Sequence, residues 1–324
     1  MCHHDAPRPP NMLLPVLRRI AITLATILMA STAVFALIHL SGDPVDGFLA
    51  PGAAPETREA ARERLGLNDP IAQQYVSFIG RTMRGDFGDS WRNRQPALES
   101  VIDRAPATIT LAAAAIVIST VLGIAVGLLS VWTGSRLLRS SVKLFGLLGQ
   151  AIPAFWLGTI AIMVFAVQLR WLPPSGNDDW RSLVLPAVVL SAYPGSLIAR
   201  MVQASLLEVE SRPYITSAHA KGLRNSTVWI RHALPNALIP TLAIIGLQAG
   251  FLAGGAIVVE SVFAYPGAGR LALQAASDRD LPVVQAFVVV TIVLVALANI
   301  AIDLLAAWID PAQRSRGGLA VFHG

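Results

Sequence analysis

Six stretches of the chain carry no Asp, Glu, Lys or Arg. They are Ile20 to Leu40, Ala105 to Ser135, Leu144 to Leu169, Ser182 to Ala199, Ala233 to Val259 and Leu281 to Ile302, with lengths of 21, 31, 26, 18, 27 and 22 residues. Crossing about 30 Å of hydrocarbon at about 1.5 Å per residue takes roughly 20 apolar residues in helical form. All six runs meet that length, the fourth narrowly. The second exceeds it, so part of it should project beyond the hydrocarbon. None alternates polar and apolar residues as a barrel strand would. Lipid offers the backbone no hydrogen-bonding partner, so a span made of these runs must be a helix. The pattern predicts an all-α, polytopic membrane protein with six transmembrane helices.

The segments between the runs are patterned too. Pro55 opens a short polar helix that Gly66 stops. Asp69-Pro70 reads as an N-cap and first helical residue. Ile71, Tyr75, Phe78 and Ile79 then share one helical face before Gly85. This outer segment reads as a helical cap lying against the spans. It is either an inert lid or part of a docking surface for an extracellular partner. Between the fourth and fifth runs, Ser211 is placed to cap a helix with Pro213 in its first turn. Ala218 and Ala220 give that helix a slim face, and Gly222 suits a left-handed stop with Leu223 folding back. Asn225 or Ser226 caps a second short helix carrying Val228, Trp229 and Ile230, and Pro235-Asn236 ends it. Two short helices joined at a glycine form a rigid knob suited to passing force between a partner and two membrane helices.

Composition agrees with the pattern. Of the 324 residues 54% are hydrophobic and only 14% charged, and the mean hydropathy is +0.58. A soluble domain carries about 25% charged residues. Disorder, a nucleic-acid arm and an ordinary cytosolic enzyme are excluded. The single cysteine, Cys2, excludes an intrachain disulfide framework. With His3 and His4 it makes too small a ligand set for a zinc site. No metal, cofactor or catalytic residue is assigned. Arg18 and Arg19 precede a first run too long for a cleaved signal peptide, so it reads as a retained helix. With both termini cytoplasmic, the inner loops hold 13 Lys and Arg and the two short outer loops hold 4, which fixes the expected orientation. The net charge of +5 reflects that topology and implies no nucleic-acid partner. The expected layout is a cytoplasmic tail at 1–15, a first span at 16–40 and an extracytoplasmic cap at 41–104. The other five spans fill 105–310, with a cytoplasmic coupling loop at 206–235, and a cytoplasmic tail follows at 311–324.

Gly222, then nine residues, then His232-Ala233-Leu234-Pro235 resembles the cytoplasmic "EAA" loop of ABC importer permeases. Tyr214-Ile215 and Ala218-His219-Ala220-Lys221-Gly222-Leu223 resemble the dipeptide, oligopeptide and nickel group in particular. So do Phe35 to Leu40 with Gly42-Asp43-Pro44, Gly85 to Ser90, Ile152 to Gly158 and Glu260 to Arg270. The resemblance runs from about Leu13 to Pro311, so residues 1–11 read as a tail or a misassigned start. The family's consensus Glu falls on Thr216 and its Ile on His232.

That resemblance implies the type I importer permease fold. It implies a subunit pairing with a second, related permease, two ATPase subunits and an extracytoplasmic substrate-binding protein in a bacterial or archaeal cell membrane. The chain has no Gly-Lys-Ser or Gly-Lys-Thr of a P-loop, so ATP and Mg are expected on the partner ATPases. Coupling is expected through Tyr214, Ala218, Ala220, Lys221, Gly222, Leu223, His232, Leu234 and Pro235. Peptides are the default cargo, with nickel chelates and glutathione as alternatives.

Residues in and near the spans add candidates. Glu260 should lie near the outer interface, where its charge costs little, with a structural or gating role ahead of substrate contact. Pro266 and Gly267 accompany it. Gly246, Gly250, Gly254 and Gly255 repeat at helical spacing and favour close packing, within the subunit or at a seam between permeases. His39 reads as a capping or packing residue, Arg200 as a snorkelling one and Asp303 as solvated or paired with a loop Arg. Pro153, Pro186, Pro194 and Pro240 should kink or start helices. A secondary transporter would want internal repeats and a mid-membrane ion site, and neither is visible. An intramembrane protease would want a His-Glu-x-x-His or Gly-x-Ser-Gly motif, and neither occurs.

Overall fold

The computed structural model describes residues 13–40, 45, 49, 52–64 and 67–309. The Cys2-His3-His4 tail, the Gly42-Asp43-Pro44 exit, the Gly66 stop and the segment from Asp310 onward, with Arg314 and Arg316, lie outside them, as does the side chain of Asp303. The chain is helical: α1 (Leu13–Leu40), α2 (Pro55–Arg64), α3 (Ile71–Met83), α4 (Ala97–Ile102), α5 (Ala105–Trp132), α6 (Arg136–Ala151), α7 (Ala154–Ala161), α8 (Arg181–Glu210), α9 (Pro213–Ala220), α10 (Leu234–Val262), α11 (Ala268–Ser277) and α12 (Leu281–Ile309). Two π-helical turns, Ile162–Gln168 and Val228–Ala233, extend α7 and lead into α10. Among the described residues there is no strand, only an isolated bridge between Asp89 and Pro96.

Among the described residues five helices are long and apolar enough to cross a membrane, and a broken pair would make a sixth crossing if it counts as one span. That pair takes in the third uncharged run, and it bends by 102° between Arg136–Ala151 and Ala154–Gln168, at the proline expected to kink or start a helix. Proline is the cause. Pro153 has no N–H and disfavours helical backbone at the residue before it. Ile152 is accordingly extended (φ −83°, ψ 120°), and Pro153 starts the next helix. Pro186 and Pro194 lie inside the continuous α8, and Pro240 inside α10.

Burial ranks the helices. In α8, 67% of the most apolar window is inside the bundle, against 6% in α1. Ile20, Ile22, Leu24, Met29 and Leu37 of α1 stay exposed, as lipid-facing residues do. α8 is central because α5 lies directly along it, and small residues make that approach possible. Gly123 of α5 leaves no room for a Cβ, since one would sit 2.7 Å from Ile198 Cγ2. At Gly127 it would sit 2.7 Å from the carbonyl oxygen of Ala199. Ser119, Gly123 and Gly127 recur every fourth residue, the spacing that lets membrane helices touch backbone to backbone. This seam was legible in the sequence and was missed. Gly250 and Gly254 do not pack closely within the subunit, one of the two parts expected of them: a Cβ at Gly254 would meet nothing within 4 Å, and one at Gly250 only Val295, at 3.8 Å. Both are exposed. Gly255, beside them, does approach Leu190.

The cap is anchored at both ends. His39 Nδ1 lies 2.9 Å from Phe35 O and Nε2 lies 3.2 Å from Gln74 Oε1, and Tyr75 and Thr32 share a 2.8 Å hydrogen bond, fastening α3 to α1. His39 is thus a packing residue. α3 begins one residue later than expected, because Pro70 is extended (ψ 139°) and occupies the N-cap itself. The segment Gly85 to Ser90 ties to α12. Ser90 Oγ donates to Asp280, which also accepts the N–H groups of Trp91 (3.1 Å) and Arg92 (3.4 Å). Phe87 is buried with Ala97, Val101, Ala272 and Phe287. Asp280 was not singled out in the sequence, since one acid at the edge of an uncharged run looks like a solvated residue.

Candidate functional site

Two motif-bearing segments sit at opposite ends of α10. The loop end begins where α8 stops at Glu210. Arg212, not Ser211, takes the N-cap of α9 with extended backbone (ψ 141°), and Pro213 follows in the first turn. The Ser211 hydroxyl turns back and donates to Glu208 O at 2.7 Å, which closes α8 instead. α9 ends in the arrangement its glycine predicts. Gly222 has φ +75°, its N–H donates to His219 O (2.9 Å), and the Leu223 N–H donates to Ala218 O (3.3 Å). This pair of bonds is a Schellman closure. The Leu223 side chain, expected to fold back, is 39% exposed. His219 Nε2 lies 3.4 Å from Asn225 Oδ1 and bridges the turn. The second helix is one turn, Asn225–Thr227, with Arg224 as its N-cap. It passes through the π turn into α10 without the break expected at Pro235.

The knob is therefore rigid, and it is seated. Ile215, Ala218, Val228, Trp229 and Ala233 form a core with Val131 of α5 and Ile198, Val202 and Leu206 of α8. A crevice of about 390 Å³ runs behind it, walled by Trp132, Arg139, Glu210 and His219. Arg139 Nη2 lies 3.7 Å from Glu210 Oε2. The opposite face of the knob has no cover: Tyr214, Ala220, Lys221, Gly222, Leu223, Arg224 and Ile230 are exposed, as is Pro235. His232 and Leu234 are half-buried, and Ala218 is buried. The structure thus brings the predicted loop residues together on one body and divides them between an inner anchor and an outer face. Arg200 passes over Gly146 of α6.

The other end of α10 carries Glu260 to Arg270, and Glu260 there is not the cheaply placed interfacial charge expected. Its side chain is completely buried. Burying a carboxylate is tolerable when enough donors meet it. The Thr108 hydroxyl donates to Oε1 (2.6 Å), the Arg270 N–H donates to Oε2 (2.8 Å), and the Gly269 N–H adds a third bond. Thr108 Oγ1 in turn accepts the Ala268 N–H at 2.9 Å. Those N–H groups are the first of α11, so Glu260 caps that helix from outside, where its positive end favours an anion. The turn folds tightly enough to require it. The Tyr265 N–H donates to Glu260 O (2.8 Å), Ala264 has φ +48°, and Arg270 Nη1 donates to Ala264 O (2.6 Å). A Cβ at Gly267 would collide with the Glu260 carboxylate, and one at Gly269 would lie 2.9 Å from Ile257 Cα. Pro266 is half-buried beside them. Burial first, and the Glu260 charge second, hold the phenol of Tyr265, in the turn beyond α10, above its ordinary value.

A helical bundle with a seated, half-exposed loop knob at one end and a cap at the other is the architecture of a polytopic membrane protein. Residues 119–315 match the family described as binding-protein-dependent transport system inner membrane component, and residues 12–112 match its N-terminal component. The chain belongs to this family and is a permease subunit of an ABC transport system in the inner membrane. Its relatives include the glutathione transport system permease proteins GsiC of Escherichia coli (strain K12) and of Shigella dysenteriae serotype 1 (strain Sd197). Each is 37% identical over 305 residues, covering 94% of this chain and 99% of the relative.

Proposed function

We propose that this chain forms half of the translocation pathway of an ATP-driven importer for short peptides, with the tripeptide glutathione as the first cargo to test. A second, related permease supplies the other half. Two separate ATPase subunits bind ATP and Mg, and an extracytoplasmic binding protein delivers the cargo. Both termini and the loop end face the cytoplasm, in keeping with the excess of Lys and Arg in the loops on that side. The exposed stripe of Leu247, Gly250, Phe251, Gly254 and Val258 on α10 is the face offered to the second permease. The cap at 41–104 faces outward. Peptide cargo rests on the relatives that transport glutathione and on the group the motifs resemble.

The observation that carries the coupling role is the knob. Its inner side is locked into α5 and α8 by Ile215, Val228 and Trp229, while Tyr214, Lys221 and Leu223 stay open. A body so seated moves with the two helices it is packed on. Closure of ATPases gripping the open face is then transmitted to the pathway, a two-state mechanical element with no bond-making step in this chain. The test is coexpression with the neighbouring permease, ATPase and binding-protein subunits. Wild type should copurify with the ATPases and take up labelled glutathione, and Gly222→Leu should lose uptake or uncouple it from ATP hydrolysis. ATPases that bind while no peptide moves would eliminate the peptide cargo and bring nickel chelates forward. Failure of any ATPase to copurify would eliminate the coupling role.

A further inference from the structure

A second concavity, of about 630 Å³, opens at the cap end of the bundle and is in the size range of small-molecule sites. Its floor is Tyr265, 1% exposed, in the turn that Glu260 locks. One wall is the junction of α4 and α5, with Asp103 and Arg104. The other is the segment leading into α8, with Asn177, Asp179 and the 73% exposed Trp180. The walls are tied to the floor, since the Gly176 N–H donates to Phe263 O at 3.2 Å. Asp179 Oδ1 accepts the N–H groups of Arg181 (2.8 Å) and Ser182 (3.2 Å), while Oδ2 has no partner among the described residues. Asp103 and Arg104 form no ion pair among the described residues. The lining therefore presents one guanidinium and two carboxylates beside two aromatic rings, none neutralised by another.

We propose that this concavity is a cargo subsite of the permease itself, selecting a short peptide that carries both a free ammonium and a free carboxylate. Arg104 receives the C-terminal carboxylate, as a guanidinium does well. Asp103 and Asp179 face the ammonium, and Trp180 flanks the apolar part above the buried Tyr265 floor. The proposal rests on the peptide reading above and adds to it a selectivity residing in the permease itself.

The test separates the two. Equilibrium binding of glutathione, its C-terminal amide and its N-acetyl derivative is measured on the assembled complex in nanodiscs, without the binding protein, by saturation-transfer NMR. Uptake of labelled glutathione with the binding protein is measured on the same complex. Wild type should bind the amide about tenfold more weakly than the free peptide, the size of one charge-assisted contact. Arg104→Gln should abolish that ratio and Arg104→Lys should keep most of it. Asp103→Asn should narrow the ratio of free to N-acetyl peptide instead. The ratios do not depend on how much complex folds. Uptake by wild type with no such discrimination, or with a ratio that Arg104→Gln leaves intact, overturns the subsite and spares the peptide reading. No uptake and no binding overturns both.

Discussion

Lys221 and Glu260 are charged residues in conspicuous motifs at the two ends of the structure, and they are treated in opposite ways. Lys221 is exposed on a helix terminus closed by two backbone hydrogen bonds, with open space where a Cβ at Gly222 would stand. Glu260 is buried, meets the Thr108 hydroxyl and two N–H groups, and is so tightly enclosed that Gly267 and Gly269 cannot carry a side chain. At the loop end the motif satisfies its backbone locally and leaves its side chains for something else. At the cap end the motif uses its side chains to satisfy its own fold. A motif with recurring glycines and a charge is thus compatible with a partner surface or with an internal brace. What distinguishes them is whether the charge finds donors within the chain.

The comparison breaks first at Glu260 if it breaks anywhere. Glu260→Ala strips acceptors from buried donors at Thr108, Gly269 and Arg270. An unsatisfied buried group costs about 1–3 kcal/mol, so the loss should be about 3 kcal/mol or more. Glu260→Gln keeps the shape and one acceptor, so it should lose about half as much. The apparent melting temperature of the purified protein, followed by fluorescence-detected size exclusion, measures both. A Glu260→Ala protein as stable as wild type that nonetheless fails to transport would make Glu260 a gating residue, not a brace.

The all-helical plan, with its five unbroken spans, was legible because lipid imposes it: a run without charges long enough to span has one backbone solution. The Gly222 turn was legible because a left-handed stop leaves few residue choices. The break at Pro153 was legible in its place, as a kink or a helix start, though not in its angle of 102°. Two things were not legible. The burial of Glu260 depends on α11 folding back over it, a contact ten residues on in sequence that no local pattern announces. The close glycines turned out to be Gly123 and Gly127 on α5, because the same small-residue spacing occurs on α10 and only the neighbouring helix decides which stripe is covered.

The loop end predicts smaller effects on stability and larger ones on coupling. Gly222→Leu forces a side chain into φ +75°, which costs about 1–2 kcal/mol for the backbone but meets no steric clash. The knob should survive on its packed core, so thermal stability falls modestly while uptake is lost. Leu223→Glu goes further toward separating the two. Leu223 is 39% exposed, so a charge there should change stability by about 0.5 kcal/mol or less. It should still weaken ATPase copurification sharply. A large stability loss from Leu223→Glu would mean that the open face is in fact internal.

The smallest effect belongs to Arg212, which bonds Glu208 one turn earlier across the end of α8. Both side chains are more than half exposed, at 56% and 68%. An exposed pair four residues apart on a helix contributes about 0.3–0.5 kcal/mol, and salt screens it. Arg212→Gln should therefore shift the melting temperature by no more than a degree or two for a chain of this size. The shift should shrink further in high salt. Glu208→Gln should match it, and the double variant should add nothing beyond either single one, because one shared contact is lost in all three. If Arg212→Gln instead abolishes uptake while Glu208→Gln does not, the guanidinium serves the open face of the knob and its bond to Glu208 is incidental. If both variants destabilise by several kcal/mol, the loop end is braced by its charges as the cap end is, and the contrast between the two ends disappears.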